Sequence, residues 1–233
     1  MMHTTLITGA NRGIGLEFVR QYAADGWRVL ACIRHPEKAD ALSKLAEHYP
    51  GLVQIHSLDV ADHGQIERLA KTLANESIDL LINNAGIYPD ADSKGFGHTN
   101  YEDWAQAFRV NTMAPLKMAE AFVVQVARSR LKIIASITSM MGSIDDNTSG
   151  GSYLYRSSKA ALNMVTRSLS LDIKREGITA VVLHPGWVQT DMGGSNALIT
   201  TEQSVSGMRK VIGKLSLADS GKFFNYDRRE LPW

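Results

Sequence analysis

The sequence is poor in several features that mark other classes of protein. It has one cysteine, Cys32, so neither a disulfide within the chain nor a cysteine-based zinc site can form, which favours a reducing compartment. Its seven histidines are scattered without metal-ligand spacing. Lysine and arginine total 25 against 24 acidic residues, so no basic excess favours nucleic acid or an anionic membrane. We therefore expect a small-molecule partner, no nucleic acid and no metal.

Long apolar runs are also lacking. No stretch approaches the roughly 20 apolar residues that cross a bilayer, and residues 1–8 do not lead from a charged segment into a long apolar one, as a leader would. We therefore expect a cytoplasmic protein that does not bind a membrane. With 233 residues, of which 44% are hydrophobic, the chain suits one large α/β domain over residues 1–233.

Short β-branched runs alternate with amphipathic stretches along the chain. The strands are predicted at Thr4–Thr8, Arg28–Ile33, Val53–Ser57, Leu80–Asn83, Lys132–Ile137, Thr179–His184 and Lys222–Phe224. The helices are predicted at Gly13–Ala24, Lys38–His48, Asp62–Asn75, Tyr101–Ala127, Tyr155–Glu176 and Thr201–Lys214. This alternation predicts a doubly wound parallel sheet of about seven strands with helices on both faces. Loops at about 87–100, 140–152 and 185–200 should border the substrate, because ligands of such sheets lie beyond the carboxyl ends of strands.

A glycine-rich turn joins the first predicted strand to the first helix. Its candidate cofactor-binding residues are Gly9, Asn11, Arg12, Gly13, Ile14 and Gly15. Glycines at such a junction let a phosphate approach the backbone, and the helix N-terminus supplies N–H donors. No Gly-Lys-Ser/Thr follows, so nucleoside triphosphate chemistry is disfavoured. The turn predicts a phosphate-bearing cofactor, although a glycine-rich turn can also be only a turn.

The ends of the next three strands offer residues for the adenosine half of a dinucleotide. Arg34 ends the second strand without an acidic residue beside it, which favours the ribose 2′-phosphate of NADP(H), with Arg12 as a second cation. The other candidates follow the third and fourth strands and are Asp59, Val60, Asn84, Ala85 and Gly86. Alternatively, Arg34 is an ordinary surface residue, Asp59 caps the next helix, and Asn84 ties strands together.

Tyr155 and Lys159 form the most informative pair. Residues four apart share a helix face, so the ammonium of Lys159 is expected to lower the pKa of the Tyr155 phenol. Tyr153 competes as the reactive tyrosine, but the residue four positions beyond it is Ser157. The spacing therefore predicts that Tyr155 transfers a proton beside a redox cofactor.

Two further residues are candidates for the same chemistry. Ser139 follows the fifth strand, where its hydroxyl could donate to a substrate carbonyl, although Ser136, Thr138 and Ser143 compete for this role. Asn111 interrupts an apolar helix stripe, and Pro115 lacks the N–H that would bond the Asn111 carbonyl, which leaves that carbonyl free to hold a relay water. A satisfied core asparagine at a proline kink is the alternative.

With these motifs in this order, the chain resembles the compact branch of the short-chain dehydrogenase/reductase family. The resemblance rests on T-G-A-N-R-G-I-G, N-N-A-G, Asn111, Ser139, Y-R-S-S-K and Pro185-Gly186 with Thr190. The segments 184–194 and 223–227 are most similar to the sniffer-type carbonyl reductase and C-factor subgroup. One departure is the stretch 142–151, which is a few residues longer than the usual pattern.

The resemblance implies a Rossmann fold and hydride transfer between NADP(H) and a carbonyl or alcohol. It implies Tyr155 as general acid/base, Lys159 as its partner and a ligand of the nicotinamide ribose, Ser139 as the residue that orients the carbonyl, and Asn111 as the anchor of a relay water. It also implies Pro185, Gly186, Val188 and Thr190 at the nicotinamide, and a homodimer or homotetramer. We expect an NADPH-dependent reductase of apolar aldehydes or ketones. The alternatives are a pterin or quinone reductase, and an NADP(H)-binding sensor or C-factor-like signalling protein.

Overall fold

The computed structural model describes residues 2–92 and 95–233, and the strands found there form one parallel sheet. In chain order they are β1 Thr4–Thr8, β2 Arg28–Ile33, β3 Val53–Ser57, β4 Leu80–Asn83, β5 Ile133–Ile137, β6 Thr179–His184 and β7 Phe223–Asn225. Their spatial order is β3-β2-β1-β4-β5-β6-β7. The order reverses direction between β1 and β4, so a crevice opens there at the carboxyl edge. The predicted doubly wound sheet is confirmed.

Helices cover both faces of the sheet. They are α1 Gly13–Ala24, α2 Asp40–His48, α3 His63–Thr72, α4 Tyr101–Phe108, α5 Ala114–Ala127, α6 Tyr153–Asp172 and α7 Thr201–Ile212. Side chains of neighbouring strand residues point to opposite faces of the sheet. In β1, Ile7 packs with Phe18 of α1, whereas Leu6 packs with Phe122 of α5. Strands buried on both faces read as continuous apolar runs, which is why the strands of this sheet are recognisable in the sequence.

The predicted helix over 101–127 is divided in the structure. A π-helical turn, Arg109–Met113, separates α4 from α5. Pro115 lies at the start of α5 and has no N–H to donate to the carbonyl of Asn111, so the normal bond between these residues cannot form and the turn widens. The proline therefore marks the position of the irregular turn, and the turn carries Asn111.

Other boundaries differ by one to four residues. β5 begins after Lys132, whose φ of 54° is incompatible with a strand, and β7 runs one residue further than predicted, to Asn225. α3 begins at His63 because Asp62 is its N-cap and accepts a hydrogen bond from Gln65 N. α6 begins two residues earlier than predicted, at Tyr153. Of the predicted substrate loop 87–100, residues 93 and 94 lie outside the described residues.

Candidate active site

The glycine-rich turn is held tightly between β1 and β4. Gly9 has a φ of 66°, and a Cβ at this position would lie 2.9 Å from the Cα of Ala85. Gly15 is closer still, since a Cβ there would lie 2.1 Å from the carbonyl oxygen of Gly9. Side chains would fill this cradle, so its glycines are needed for its shape. The side chain of Arg12, the N-cap residue of α1, makes no capping hydrogen bond, which leaves the helix N-terminus as an anion-binding feature.

Asn84 joins the turn to the end of β4. Its Nδ2 donates to the carbonyl oxygens of Thr8 at 2.9 Å and Gly9 at 3.1 Å. Thr8 Oγ1 in turn accepts hydrogen bonds from the backbone N–H groups of Asn84 and Ala85. These contacts agree with the alternative interpretation, in which Asn84 ties the end of β4 to the end of β1.

The two predicted cofactor cations differ in their surroundings. Arg34 is exposed at the end of β2. Arg12 is also exposed, but its guanidinium pairs with Asp191 from the loop that follows β6. Asp59 accepts a hydrogen bond from Ala61 N at 2.9 Å and does not cap α3, a role taken by Asp62. Arg34 is therefore the better placed cation for a phosphate, and the adenine contact expected of Asp59 remains a prediction.

The loop after β6 lies against the glycine turn. Gly186 has a φ of 84°, and a Cβ there would lie 2.7 Å from Ile199 Cδ1. Val188 is buried and pairs with Ile199 in an isolated bridge. A Cβ on Gly13 would lie 3.2 Å from Thr190 Cγ2, so the predicted phosphate turn and the predicted nicotinamide loop are neighbours.

Tyr155 and Ser139 meet at the carboxyl edge of β5. Tyr155 is 8% exposed. Burial raises the pKa of Tyr155 to about 12, and a hydrogen bond with the Ser139 side chain acts in the opposite direction. Ser139 also caps the short 3₁₀ turn Met140–Gly142 by accepting from Met141 N at 3.1 Å. The two residues that were expected to act on a carbonyl oxygen are thus near each other.

Lys159 lies beside the Tyr155 ring, but its hydrogen bond goes to the end of β5. Its Nζ lies 5.7 Å from the centroid of the Tyr155 ring and donates to the carbonyl oxygen of Ile137 at 2.8 Å. Burial lowers the pKa of Lys159 to about 8. Burial of the phenol dominates the pKa of Tyr155 in this structure, so the lowering expected from Lys159 stays a prediction.

The competing hydroxyl groups are occupied elsewhere. Thr138 Oγ1 donates to Asn163 Oδ1 at 2.7 Å, and Ser143 Oγ donates to the carbonyl oxygen of Trp233 at 3.1 Å. Ser136 Oγ accepts from Asn83 Nδ2 at 3.3 Å. Tyr153 is 41% exposed, so it lacks the burial of Tyr155. These contacts favour Ser139 and Tyr155 over their rivals.

Asn111 is fully buried, and its amide is satisfied by protein groups. Oδ1 accepts from Ile87 N and Nδ2 donates to Ile87 O, each at 2.9 Å, and Nδ2 also donates to Ser158 Oγ at 3.0 Å. Ser158 Oγ donates to the carbonyl oxygen of Tyr155 at 2.8 Å. The side chain therefore acts as the satisfied core asparagine of the alternative reading, while a water on its main-chain carbonyl stays a prediction.

Comparison with known proteins agrees with this geometry. A family model described as short chain dehydrogenase matches residues 3–198. The chain belongs to the short-chain dehydrogenase family. It is 44% identical over 164 residues to C-signal of Myxococcus xanthus. The matched region covers 70% of this chain and 98% of that protein. The motif-based resemblance is thereby confirmed.

Solved structures support the same family. The NADPH-bound carbonyl reductase from chicken fatty liver has a TM-score of 0.92 and 38% identity, with 100% of this chain and 99% of that chain covered. Carbonyl reductase Sniffer of D. melanogaster has a TM-score of 0.90 and 32% identity, with all of both chains covered. This chain is an oxidoreductase by family, with carbonyl reductases among its structural neighbours.

In this short-chain dehydrogenase, sequence reasoning missed two residues beside Tyr155. The ring of Tyr88 meets the Tyr155 ring edge-on at 4.8 Å between centroids, and Tyr88 Oη lies 3.0 Å from Ser152 Oγ. The carboxylate of Asp90 accepts a hydrogen bond from Tyr155 N at 2.7 Å. Both residues follow N-N-A-G in a polar loop, and no spacing rule connects them to a helix more than 60 residues later.

Neither a cluster of metal-ligating side chains nor a membrane-spanning helix is found among the described residues. Within residues 2–92 and 95–233, no three histidine, cysteine, aspartate or glutamate side chains converge as they would around a metal ion. None of the helices in the described parts of the chain is long and apolar enough to span a membrane.

Proposed function

We propose that this protein reduces an aldehyde or ketone to an alcohol with NADPH as hydride donor and Tyr155 as general acid. The observation that carries the proposal is the buried phenol of Tyr155, which lies near Ser139 and one helix turn before the buried Lys159. With a pKa of about 12, the phenol is protonated at neutral pH. A protonated tyrosine suits reduction, in which the substrate oxygen must receive a proton.

The chain's own residues would act on the substrate oxygen. The Ser139 hydroxyl donates to the carbonyl oxygen and so polarises the carbon. Bound NADPH supplies the hydride that this carbon accepts. As negative charge develops on the oxygen, Tyr155 gives up its proton to it, and the nearby Lys159 ammonium stabilises the phenolate that remains.

The proposed cofactor fits the cradle and the charges of the chain. Glycines allow the turn after β1 to pack closely against Ala85, and the N-terminus of α1 lies at this turn. Arg34 is an exposed cation that can pair with a 2′-phosphate. The carbonyl reductase from chicken fatty liver, which is 38% identical, is NADPH-bound in its solved structure and supports the same choice.

The substrate is proposed to be apolar. Trp187 and Met192, in the loop after β6, are each 51% exposed, and Met141 follows Ser139 in the 3₁₀ turn. Flexible and aromatic side chains of this kind suit apolar carbonyl compounds. NADPH oxidation, measured by absorbance against a panel of aldehydes, diketones, quinones and pterins, tests the proposal and separates these substrate classes.

A signalling role is the alternative from a different class. The 44% identity to C-signal is the observation that points to it. A module that only binds NADP(H) has no need of a buried phenol beside a serine hydroxyl, and so we prefer the reductase. Tight NADPH binding without turnover of any member of the panel would favour the binding role instead.

We also infer that the protein forms homo-oligomers through α5 and α6. Val124 on α5 and Met164 and Leu171 on α6 are each at least 59% exposed, which is unusual for large apolar residues on helices. Light scattering of the wild type and of Met164→Glu tests the inference. A wild type that is monomeric at all concentrations would contradict it.

A further inference from the structure

Asp90 is a buried carboxylate in the loop between β4 and α4. It is 8% exposed and belongs to the short 3₁₀ turn Pro89–Asp92. Its Oδ2 accepts from Tyr155 N at 2.7 Å, and its Oδ1 accepts from Leu154 N at 3.3 Å. Among the described residues, no lysine, arginine or histidine is within ion-pair distance of it. Burying a carboxylate without a paired cation costs folding free energy unless hydrogen bonds compensate for the lost hydration.

Helix α6 needs this carboxylate because it lacks a cap of its own. The N-cap residue, Ser152, has left-handed backbone angles and makes no side-chain capping bond, and its Oγ lies within hydrogen-bond distance of Tyr88 Oη. The first N–H groups of a helix have no partner within the helix. Asp90, 65 residues before Tyr155, supplies the missing acceptor.

The segment Ile87–Asp90 contacts the catalytic helix at successive points. Ile87 is bonded through both main-chain groups to Asn111, and Asn111 bonds Ser158. The Tyr88 ring lies edge-on to the ring of Tyr155. Asp90 then binds the main chain of Tyr155 itself. The segment thus holds the ring, the backbone and the following turn of the residue that would transfer the proton.

We propose that Asp90 is a positioning residue for Tyr155: by capping α6 from the 87–90 segment, it fixes the phenol relative to Ser139. This inference rests on the proposed function, in which the phenol must reach the substrate oxygen. Asp90 is not proposed to touch the substrate. Its effect should therefore fall on turnover and leave NADPH binding unchanged, because displacement of a reacting group by a small distance is enough to slow proton transfer.

The test compares Asp90→Ala, Asp90→Asn and a matched control, Asp62→Ala. Asp62 is the side-chain cap of α3 and lies far along the chain from Tyr155. Its replacement removes a helix cap but leaves the hydrogen bonds of α6 in place. Asp90→Ala should lower kcat by about 10- to 100-fold with NADPH affinity unchanged. Asp90→Asn keeps one carbonyl oxygen as an acceptor and should recover part of the loss. Asp62→Ala should lower the melting temperature but keep kcat.

Hydrogen exchange gives a readout that does not need a substrate. The amides of Leu154 and Tyr155 should exchange faster in Asp90→Ala, which removes both acceptor oxygens, and to a smaller extent in Asp90→Asn, which keeps one. In Asp62→Ala they should exchange at the wild-type rate. If Asp90→Ala does not fold, Asp90→Asn carries both measurements. Wild-type kcat in Asp90→Ala, an equal loss of kcat in Asp62→Ala, or unchanged exchange of these amides would each overturn the inference.

The outcomes also separate this inference from the proposed function. If wild type reduces no member of the panel, or if Tyr155→Phe is as active as wild type, the reductase assignment fails, and amide exchange still decides whether Asp90 caps α6. If Tyr155→Phe is inactive while Asp90→Ala matches wild type, the reductase assignment stands and the role of Asp90 fails.

Discussion

Lys159 donates a hydrogen bond from Nζ to the carbonyl oxygen of Ile137, so its amine is anchored to the last residue of β5. Burial lowers the pKa of Lys159 to about 8, from a usual value of 10.5. The unfolded chain therefore binds more protons than the folded one between these two pH values. Stability rises with pH across this window, and at neutral pH the buried ammonium reduces it.

Replacing Lys159 by Met should consequently separate stability from function. The variant should unfold with a free energy about 1 to 2 kcal/mol higher at pH 7, after allowing for the lost bond to Ile137. Its kcat should fall strongly, because methionine cannot stabilise the Tyr155 phenolate. Urea unfolding at pH 7 and pH 10 checks the origin of the effect, because the advantage of the variant should shrink as Lys159 becomes neutral. A variant less stable than wild type at pH 7 would contradict the argument.

Tyr155→Phe keeps the ring and its contact with Tyr88 but removes the transferable proton. Turnover should fall by about 10²-fold or more while NADPH still binds. Tyr153→Phe is the matched control, since Tyr153 is two residues away and 41% exposed. It should keep nearly all activity. The reverse result would mean that the wrong tyrosine has been assigned.

Asn111→Leu tests how far the 87–90 segment depends on one amide. A leucine suits the apolar stripe, but it leaves both main-chain groups of Ile87 without their partner. The free energy of unfolding should fall by about 2 kcal/mol, and kcat should fall with it. Met113→Leu, in the same π-helical turn but 50% exposed, should change neither. An Asn111→Leu protein of unchanged stability but lost turnover would favour the water relay.

The sheet and the placement of Tyr155 and Lys159 on one helix were predictable because they depend on local patterns. The buried strands are rich in apolar and β-branched residues, and Tyr155 and Lys159 are related by helix geometry alone. Pro115 also signals its effect, since a residue without an N–H must disturb the turn four residues earlier. These features require no knowledge of which distant segments meet.

The rest depends on contacts between segments that no local pattern encodes. The early start of α6 at Tyr153 follows from Asp90, a cap that comes from another loop. The elimination of Thr138 and Ser143 follows from Asn163 and Trp233, which are distant in the chain. The high pKa of Tyr155 follows from burial, which spacing does not report. Tertiary packing therefore decides the electrostatics of residues whose identity the motif predicts.

His184 should make stability depend on pH. It ends β6, and its Nδ1 is buried without a hydrogen-bond partner among the described residues. Burial lowers the pKa of His184 to about 4, with Asp146 and Asp227 acting in the opposite direction. Between about pH 6.5 and 4 the unfolded chain binds the extra proton, so stability is lost as the pH falls through this window.

The expected loss between pH 7 and pH 5 is about 2 kcal/mol. Urea unfolding of wild type and His184→Gln at both pH values measures it, and the variant should lack this part of the dependence. His98→Gln replaces an exposed histidine and should follow the wild type. An identical pH dependence in wild type and His184→Gln would show that other groups cause the acid sensitivity.

Arg34 should decide the choice of cofactor. It is the exposed cation at the end of β2, whereas Arg12 is already paired with Asp191. A charge-assisted pair with a 2′-phosphate, partly exposed to solvent, should favour NADPH over NADH by about ten- to a hundredfold. Arg34→Asp removes the cation and adds a carboxylate that repels phosphate but accepts from ribose hydroxyls, so the preference should fall or reverse.

Titration of both cofactors into wild type, Arg34→Asp and Lys38→Asp distinguishes a specific contact from a general change of charge. Lys38 is exposed four residues further on, and its reversal alters the net charge by the same amount. Only Arg34→Asp should change the ratio of the two affinities, because long-range charge effects are screened by salt while a direct pair is much less so. If wild type binds NADPH and NADH equally, or if both variants shift the ratio alike, Arg34 does not hold the phosphate.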